Sequence, residues 1–387
     1  MTNISHRMNR VQAPIIPEVA DLIDCNPGTI SLGQGVVYYS PPKQINQGVQ
    51  EFVKMNSHHY QAVEGIPALR NLISQKLRDE NGIDPSSYEI VVSAGSNMGF
   101  LNAILAIADS GDEIILLKPW YFNHEMAIRI ADCIPVSVDT DQQFQPDVKK
   151  IEQAITNKTR AIVTISPNNP TGAVYDREKL LVINELCRNS NIFHIHDEAY
   201  EYFCYDDAEH FSPASVESAL DHTISLYSTS KSFGMANWRI GYMLIPPRLF
   251  KPVKKIQDTN LICPSVISQY AAMECLKVGR TFCDSRIAKI DKVRSHFQQR
   301  LTSNCAVSHG KLQGAFYAFL HLPDLGKSDM DIVRFLIEQY KVAVIPGVAF
   351  GIEHTRCIRA SYGAMQPSTV VEGIDRLTQG LKNLLES

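Results

Sequence analysis

Three short stretches carry side chains that could do chemistry together. The first, residues 228–241, reads STSKSFGMANWRIG. Lys231 lies there in a hydroxyl-rich turn that follows the β-type run 223–227, and Arg239 comes eight residues later. A lysine held in a turn at a strand end is partly shielded from water. Desolvation disfavours its ammonium form, so the pKa falls and the free amine becomes a nucleophile. A neutral amine beside hydroxyls and an anion-binding arginine suits a Schiff base with a phosphorylated aldehyde. The second stretch, 196–200, is HDEAY, with a carboxylate at Asp197 and a phenol at Tyr200. The third, 166–172, is SPNNPTG, a turn with two asparagine amides, one of them Asn169. Taken alone, Lys231 also reads as a solvated loop lysine, so the rest of the chain must supply its partners.

The elements that would position these stretches are legible as alternation. Apolar β-type runs fall at 90–93, 113–117, 134–138, 160–165, 192–196, 223–227 and 240–245. Segments of helical period fill most of the gaps, at 96–108, 122–131, 148–155 and 177–189, after two earlier ones at 43–54 and 67–80. Such alternation predicts an α/β fold, a mostly parallel seven-stranded sheet covered on both faces. It places a large domain over residues 44–284. From residue 284 the pattern changes to a long helix toward 301, strands at 315–320, 342–345 and 357–361, and helices at 330–340 and 368–385. Residues 285–387, with 1–43 as an arm and one short helix at 18–24, form a smaller α+β domain.

In open α/β sheets ligands bind outside the carboxyl ends of the strands. After the first run come Gly95, Ser96 and Asn97 at the start of a helix. That is an anion site by geometry, or equally a plain strand-to-helix turn with a polar cap. After the second comes KPWY, which brings an aromatic ring to the edge. The asparagine turn, the acid–phenol pair and the lysine turn follow three more runs. One edge thus gathers a phosphate nest, an aromatic plate, an amide, a carboxylate, a phenol, an amine and an arginine. Each suits one part of a phosphorylated pyridine aldehyde: the acid keeps the ring nitrogen protonated, phenol and amide bond the ring hydroxyl, and nest and arginine hold the phosphate.

The bulk composition narrows the class. The chain has 387 residues, 44% hydrophobic and 20% charged, which supports a sizeable core. A net charge of -4 argues against nucleic acid or an anionic membrane as the main partner. No apolar run approaches the roughly 20 residues needed to cross a bilayer, and the N-terminal MTNISHRMNR lacks the apolar core of a secretory leader. Nine scattered cysteines without a C-x-x-C pair fit reduced thiols in a cytoplasmic protein.

SPNNPTG, HDEAY and STSK-SFG-x-x-x-WRIGY, in that order, with GAFY at 314–317 and VIPGVAFG at 344–351, resemble the class I aminotransferases, of the class I/II family of fold-type I pyridoxal-phosphate (PLP) enzymes. The likeness spans nearly the whole chain. It implies a homodimeric transaminase that moves an amino group from an amino acid to a 2-oxo acid by a ping-pong route. By that resemblance Lys231 forms the internal aldimine and, once freed, carries the substrate α-proton to the cofactor aldehyde carbon. Asp197 pairs with the pyridine nitrogen, and Tyr200 and Asn169 bind O3′. Tyr121 stacks on the ring, and Ser96, Asn97, Ser228 and Arg239 hold the phosphate. Arg359, in CIRASYG, clamps the substrate α-carboxylate, which Asn169 also adjoins; without the family it reads as a surface arginine. Gly35, in SLGQG, presents backbone to the substrate, and Tyr60 reaches the neighbouring subunit's phosphate or else simply packs.

Two departures stand out. After Gly35 the family often has Pro-Asp and an aromatic, whereas this chain has VVYYS at 36–40; Asn237 stands where a glycine is common. The first leaves specificity open, with a lean to neutral or aromatic donors. A carbon–sulfur β-lyase on the same scaffold is the alternative, since both reactions begin with α-proton removal. A ligand-binding regulator fused to a DNA-binding domain is disfavoured: only about 30 residues precede SLGQG, short of the ~50 a small domain needs.

Overall fold

The computed structural model describes residues 4–302 and 307–386. Its strands, in chain order, are β1 (Ile30–Ser31), β2 (Glu89–Ser93), β3 (Glu113–Lys118), β4 (Ile134–Asp139), β5 (Thr159–Ile165), β6 (Phe193–Asp197), β7 (Thr223–Ser228), β8 (Gly241–Ile245), β9 (Ser308–His309), β10 (Tyr317–Leu322), β11 (Val342–Ala343), β12 (Ile345–Pro346) and β13 (Arg356–Ser361). Seven of them form the central sheet in the order β2-β8-β7-β6-β5-β3-β4. Only β8 runs against its neighbours; the other ladders are parallel. Because β8 is antiparallel to both β2 and β7, the carboxyl ends of β2, β3, β5, β6 and β7 share one edge, and β8 begins there.

A strand buried on both faces reads as a continuous apolar run, and β7 is buried at every residue. On one face Phe100, Ile104, Ile128 and Val253 pack against Leu116, Val163, Ile195 and Leu226. On the other Leu69, Ile73, Leu77, Leu180 and Ile183 share a core with Leu117, Ile162, Tyr227 and Leu244. The four-stranded second sheet has the order β12-β13-β10-β9, and its β10–β13 ladder sets Phe319 opposite Arg359.

Several elements differ from the sequence reading. Helices Phe250–Asn260 and Val266–Val278 were not anticipated, and the long helix starts earlier and covers Arg280–Thr302. The expected strand at 342–345 is two: β11 pairs in parallel with β1, while β12 pairs with β13. The strand expected at 315–320 begins at Tyr317, because Gly314 bridges Cys204 and Ala315 takes a left-handed φ of 51°. Eight of the cysteines are free thiols, and Cys305 lies outside the described residues. No described helix is long and apolar enough to cross a membrane.

Candidate active site

The shared strand edge opens into a cleft lined by Ser96, Asn97, Tyr121, Asn169, Asp197, Tyr200, Ser228, Lys231 and Arg239, all anticipated, and by Ile165, Ala199 and Ser230, which were not. Lys231 projects from the single turn Thr229–Ser232, capped by Ser228, whose hydroxyl accepts the Ser230 amide at 3.1 Å. Its Nζ donates to the carbonyl of Gly35, which brings the backbone expected to face the substrate up to the lysine. Burial, with the Arg239 and Arg359 guanidinium groups adding repulsion, pulls the amine from its usual 10.5 down to about 8; Asp197 partly opposes them.

At one end of the cleft the chain is shaped for an anion. Gly95 turns with φ +83°, and the helix Ser96–Ile107 starts directly after it. A Cβ on Gly95 would lie 2.3 Å from Arg239 Nη2, and one on Gly241 2.7 Å from the Ser96 amide nitrogen. Glycine at both positions therefore lets β8, the guanidinium and the helix start close together. Arg239 itself has φ 54°, a left-handed conformation that costs a non-glycine residue free energy and recurs at ligand clamps. Its Nη1 donates to Ala236 O at 2.9 Å and its Nη2 to Ala94 O at 3.2 Å. Among the described residues no carboxylate pairs with it. An arginine without a counter-ion beside a helix N-terminus suits a phosphate.

At the opposite end Asp197 is buried at 4% exposure. One carboxylate oxygen accepts the Ala199 amide at 3.0 Å. The other lies 3.1 Å from His124 Nε2, without the alignment of a hydrogen bond. His124 is stacked 3.9 Å from Phe100 and was missed in the sequence, where a lone histidine on a helix gives no signal. Tyr121 accepts from Asn123 Nδ2 at 2.8 Å and meets the His124 ring edge-on.

Between the ends lies a group from both sheets. Asn169 Nδ2 donates to Tyr200 Oη at 3.2 Å, and Tyr200 Oη is 2.8 Å from Tyr317 Oη. Arg359 is 2% exposed, so the surface alternative does not hold. It donates to Asn169 Oδ1 at 2.9 Å and to Gly33 O at 2.6 Å, and its guanidinium lies 4.6 Å above the Tyr317 ring. Its Nε has no partner, and among the described residues no carboxylate faces it. A buried guanidinium with an unsatisfied N–H fits a carboxylate ligand. Tyr60 does not join this group; it is 76% exposed.

This donor set fits pyridoxal phosphate: amides, hydroxyls and an unpaired arginine at the anion end, a buried carboxylate at the other, and an amine of lowered pKa between. The family model described as "Aminotransferase class I and II" matches residues 27–377. The probable aspartate/prephenate aminotransferase of Aquifex aeolicus is 33% identical over 99% of this chain and 98% of its own length. Aromatic-amino-acid aminotransferase 2 of Thermococcus litoralis is 30% identical over 98% of each. The crystal structure of the aromatic aminotransferase from Pyrococcus horikoshii superposes with a TM-score of 0.87 at 32% identity, covering 94% of this chain and 99% of that one. These relatives give the carbon–sulfur lyase alternative no support. Fold, matched family and full-length relatives agree: the chain belongs to the class I and II aminotransferases and is a pyridoxal-phosphate-dependent transaminase.

Proposed function

We propose that this transaminase takes neutral, and in particular aromatic, amino acids as donors and passes the amino group to a 2-oxo acid. Its residues are assigned as follows. Ser96, Asn97, Ser228 and Arg239 hold the phosphate, with Ser230 beside them, and Tyr121 covers the ring. Asp197 holds a proton on the ring nitrogen. Tyr200 and Asn169 bond the ring oxygen. When bound, the cofactor supplies an electron sink conjugated to the substrate nitrogen. Arg359 binds and orients the substrate α-carboxylate. With the cofactor bound, Lys231 Nζ would be the group that takes the proton from the substrate α-carbon; an amine near pKa 8 is a competent base at neutral pH. Residues 44–284 serve as the cofactor unit, with 1–43 and 285–387 as the second.

The charge inventory of the site carries the donor preference. Lys231 and Arg239 are the cations that line the cleft, and Arg359 is the third nearby. Each already has a task, so among the described residues of the single chain none is left for a second substrate carboxylate. Tyr121, Tyr200 and Tyr317 supply an aromatic surround instead. The relatives are named for both classes, aspartate and prephenate in Aquifex aeolicus and aromatic amino acids in Thermococcus litoralis and Pyrococcus horikoshii, so the preference rests on the charge inventory. Single-turnover conversion to the pyridoxamine form, profiled across the amino acids without an oxo acid, tests it. Aromatic and neutral donors are expected to outpace aspartate and glutamate; fastest conversion by aspartate overturns the preference.

A further inference from the structure

Tyr317 has so far been given only a share of the aromatic surround, yet it touches both halves of the site. It starts β10, is fully buried, and faces Tyr200, Arg359 and Gly35. A Cβ on Gly35 would lie 3.0 Å from its hydroxyl, so the backbone whose carbonyl receives Lys231 runs against this phenol. Its own carbonyl sits 2.5 Å from where a Cβ of Gly172 would be, which seats the asparagine turn on the same residue.

Counting protons gives the hydrogen bond between the phenols a direction. Each phenol has one proton to donate and can accept from others. Tyr200 already receives the Asn169 amide. Among the described residues Tyr317 Oη has Tyr200 as its one hydrogen-bond partner. If Tyr200 donated to Tyr317, the Tyr317 proton would be buried with no acceptor, and Tyr200 would have none left for a ligand. An unmade buried hydrogen bond costs more than a made one contributes. In the reverse order Tyr317 and Asn169 both donate into Tyr200, and the one proton left over belongs to Tyr200, which lines the cleft where a ligand can accept it.

We propose that Tyr317 is a positioning residue whose hydroxyl commits Tyr200 to donate to the cofactor ring oxygen, while its ring carries the guanidinium of Arg359. The cofactor-side phenol and the carboxylate clamp are thereby braced by one side chain. Donation into Tyr200 polarises its O–H and strengthens its own donation. A stronger donor to the ring oxygen stabilises negative charge there and lowers the pH at which the bound chromophore loses its proton.

The inference rests on the role given above to Tyr200, and the test separates the two. The visible absorption of the holoenzyme is titrated against pH for the wild type, Tyr317→Phe, Tyr200→Phe and the double variant. Tyr317→Phe keeps the ring beneath Arg359 and removes only the hydroxyl. Its midpoint is expected to move up by roughly half a pH unit. In the Tyr200→Phe background the same change should add no further shift. A wild-type midpoint in Tyr317→Phe, or a full additional shift in the double variant, overturns the role of Tyr317. A Tyr200→Phe variant that titrates like the wild type overturns the parent assignment instead. Tyr317→Met, which also lacks the hydroxyl and has an adaptable side chain, is titrated in parallel, so that the result does not hang on one variant folding.

Discussion

Lys231 and Arg359 are both cations in enclosed places, and their surroundings treat them differently. Burial and two guanidinium groups press on Lys231 and bring it to about 8. The amine is therefore mostly charged at pH 7 and mostly free at pH 9. Capture of added pyridoxal phosphate by the apoprotein should accelerate as pH rises through about 8, read by stopped-flow absorbance. A rate flat from pH 7 to 9 would contradict the tuning. The linkage has the same sign. The folded pKa lies below the unfolded value, so unfolding takes up a proton between them, and apoprotein stability from this group grows as pH rises from about 8 toward 10.5. Arg359 is held by two hydrogen bonds and lies over the rings of Tyr317 and Phe350, an arrangement that a planar fork fits and an ammonium does not. Arg359→Lys keeps the charge and loses the fork. The KM for amino acids should rise about 10- to 100-fold, while cofactor affinity stays unchanged. An unaltered KM would remove Arg359 from the substrate site.

At the level of elements, the strands were the most legible part, because each central one is an apolar run between turn residues and the site residues follow directly. What escaped has physical reasons. The helix Val266–Val278 is buried on most of its surface, including Ser268, Gln269 and Glu274, so it lacks the polar face that makes a helical period visible. The two-residue strands β1 and β11 are too short to show alternation. The segment 342–346 looks like one strand because nothing local marks where the chain leaves one sheet for the other. Without the family likeness Arg359 reads as a surface residue, since burial of a lone charge depends on tertiary neighbours. The anion end shows how elements make a site. A Cβ at Gly241 would meet the Ser96 amide and the Tyr227 carbonyl at 2.7 Å and Gly95 C at 2.8 Å. All three are main-chain atoms, so relief requires β8 to move away from the helix start. Gly241→Ala should weaken pyridoxal phosphate binding by roughly 10-fold with circular dichroism preserved, consistent with the cost of overpacking. Wild-type affinity in equilibrium dialysis would show that the phosphate sits elsewhere.

On the scale of the whole molecule, Tyr60 is the anticipated residue that the single chain leaves outside the cleft. It is 76% exposed, with Val53 at 63% and Met55 at 50% close by in sequence. Three large apolar or aromatic side chains exposed within eight residues of chain are what a segment covered by a second subunit would show. If the enzyme is a symmetric dimer and Tyr60 completes the partner's phosphate site, each active site combines Lys231 of one chain with Tyr60 of the other. Mixing two variants decides this. Tyr60→Ala and Lys231→Ala are each expected to be severely impaired. In their hybrid, the subunit that kept Lys231 receives an intact Tyr60 from its partner, so one site per hybrid is whole. After random exchange the mixture should recover about a quarter of wild-type activity. If Tyr60 instead served its own subunit, or only packed, no hybrid site would gain anything and the mixture would match the average of its parts. Sedimentation of the same samples supplies the control, since activity without dimers would exclude a shared site altogether.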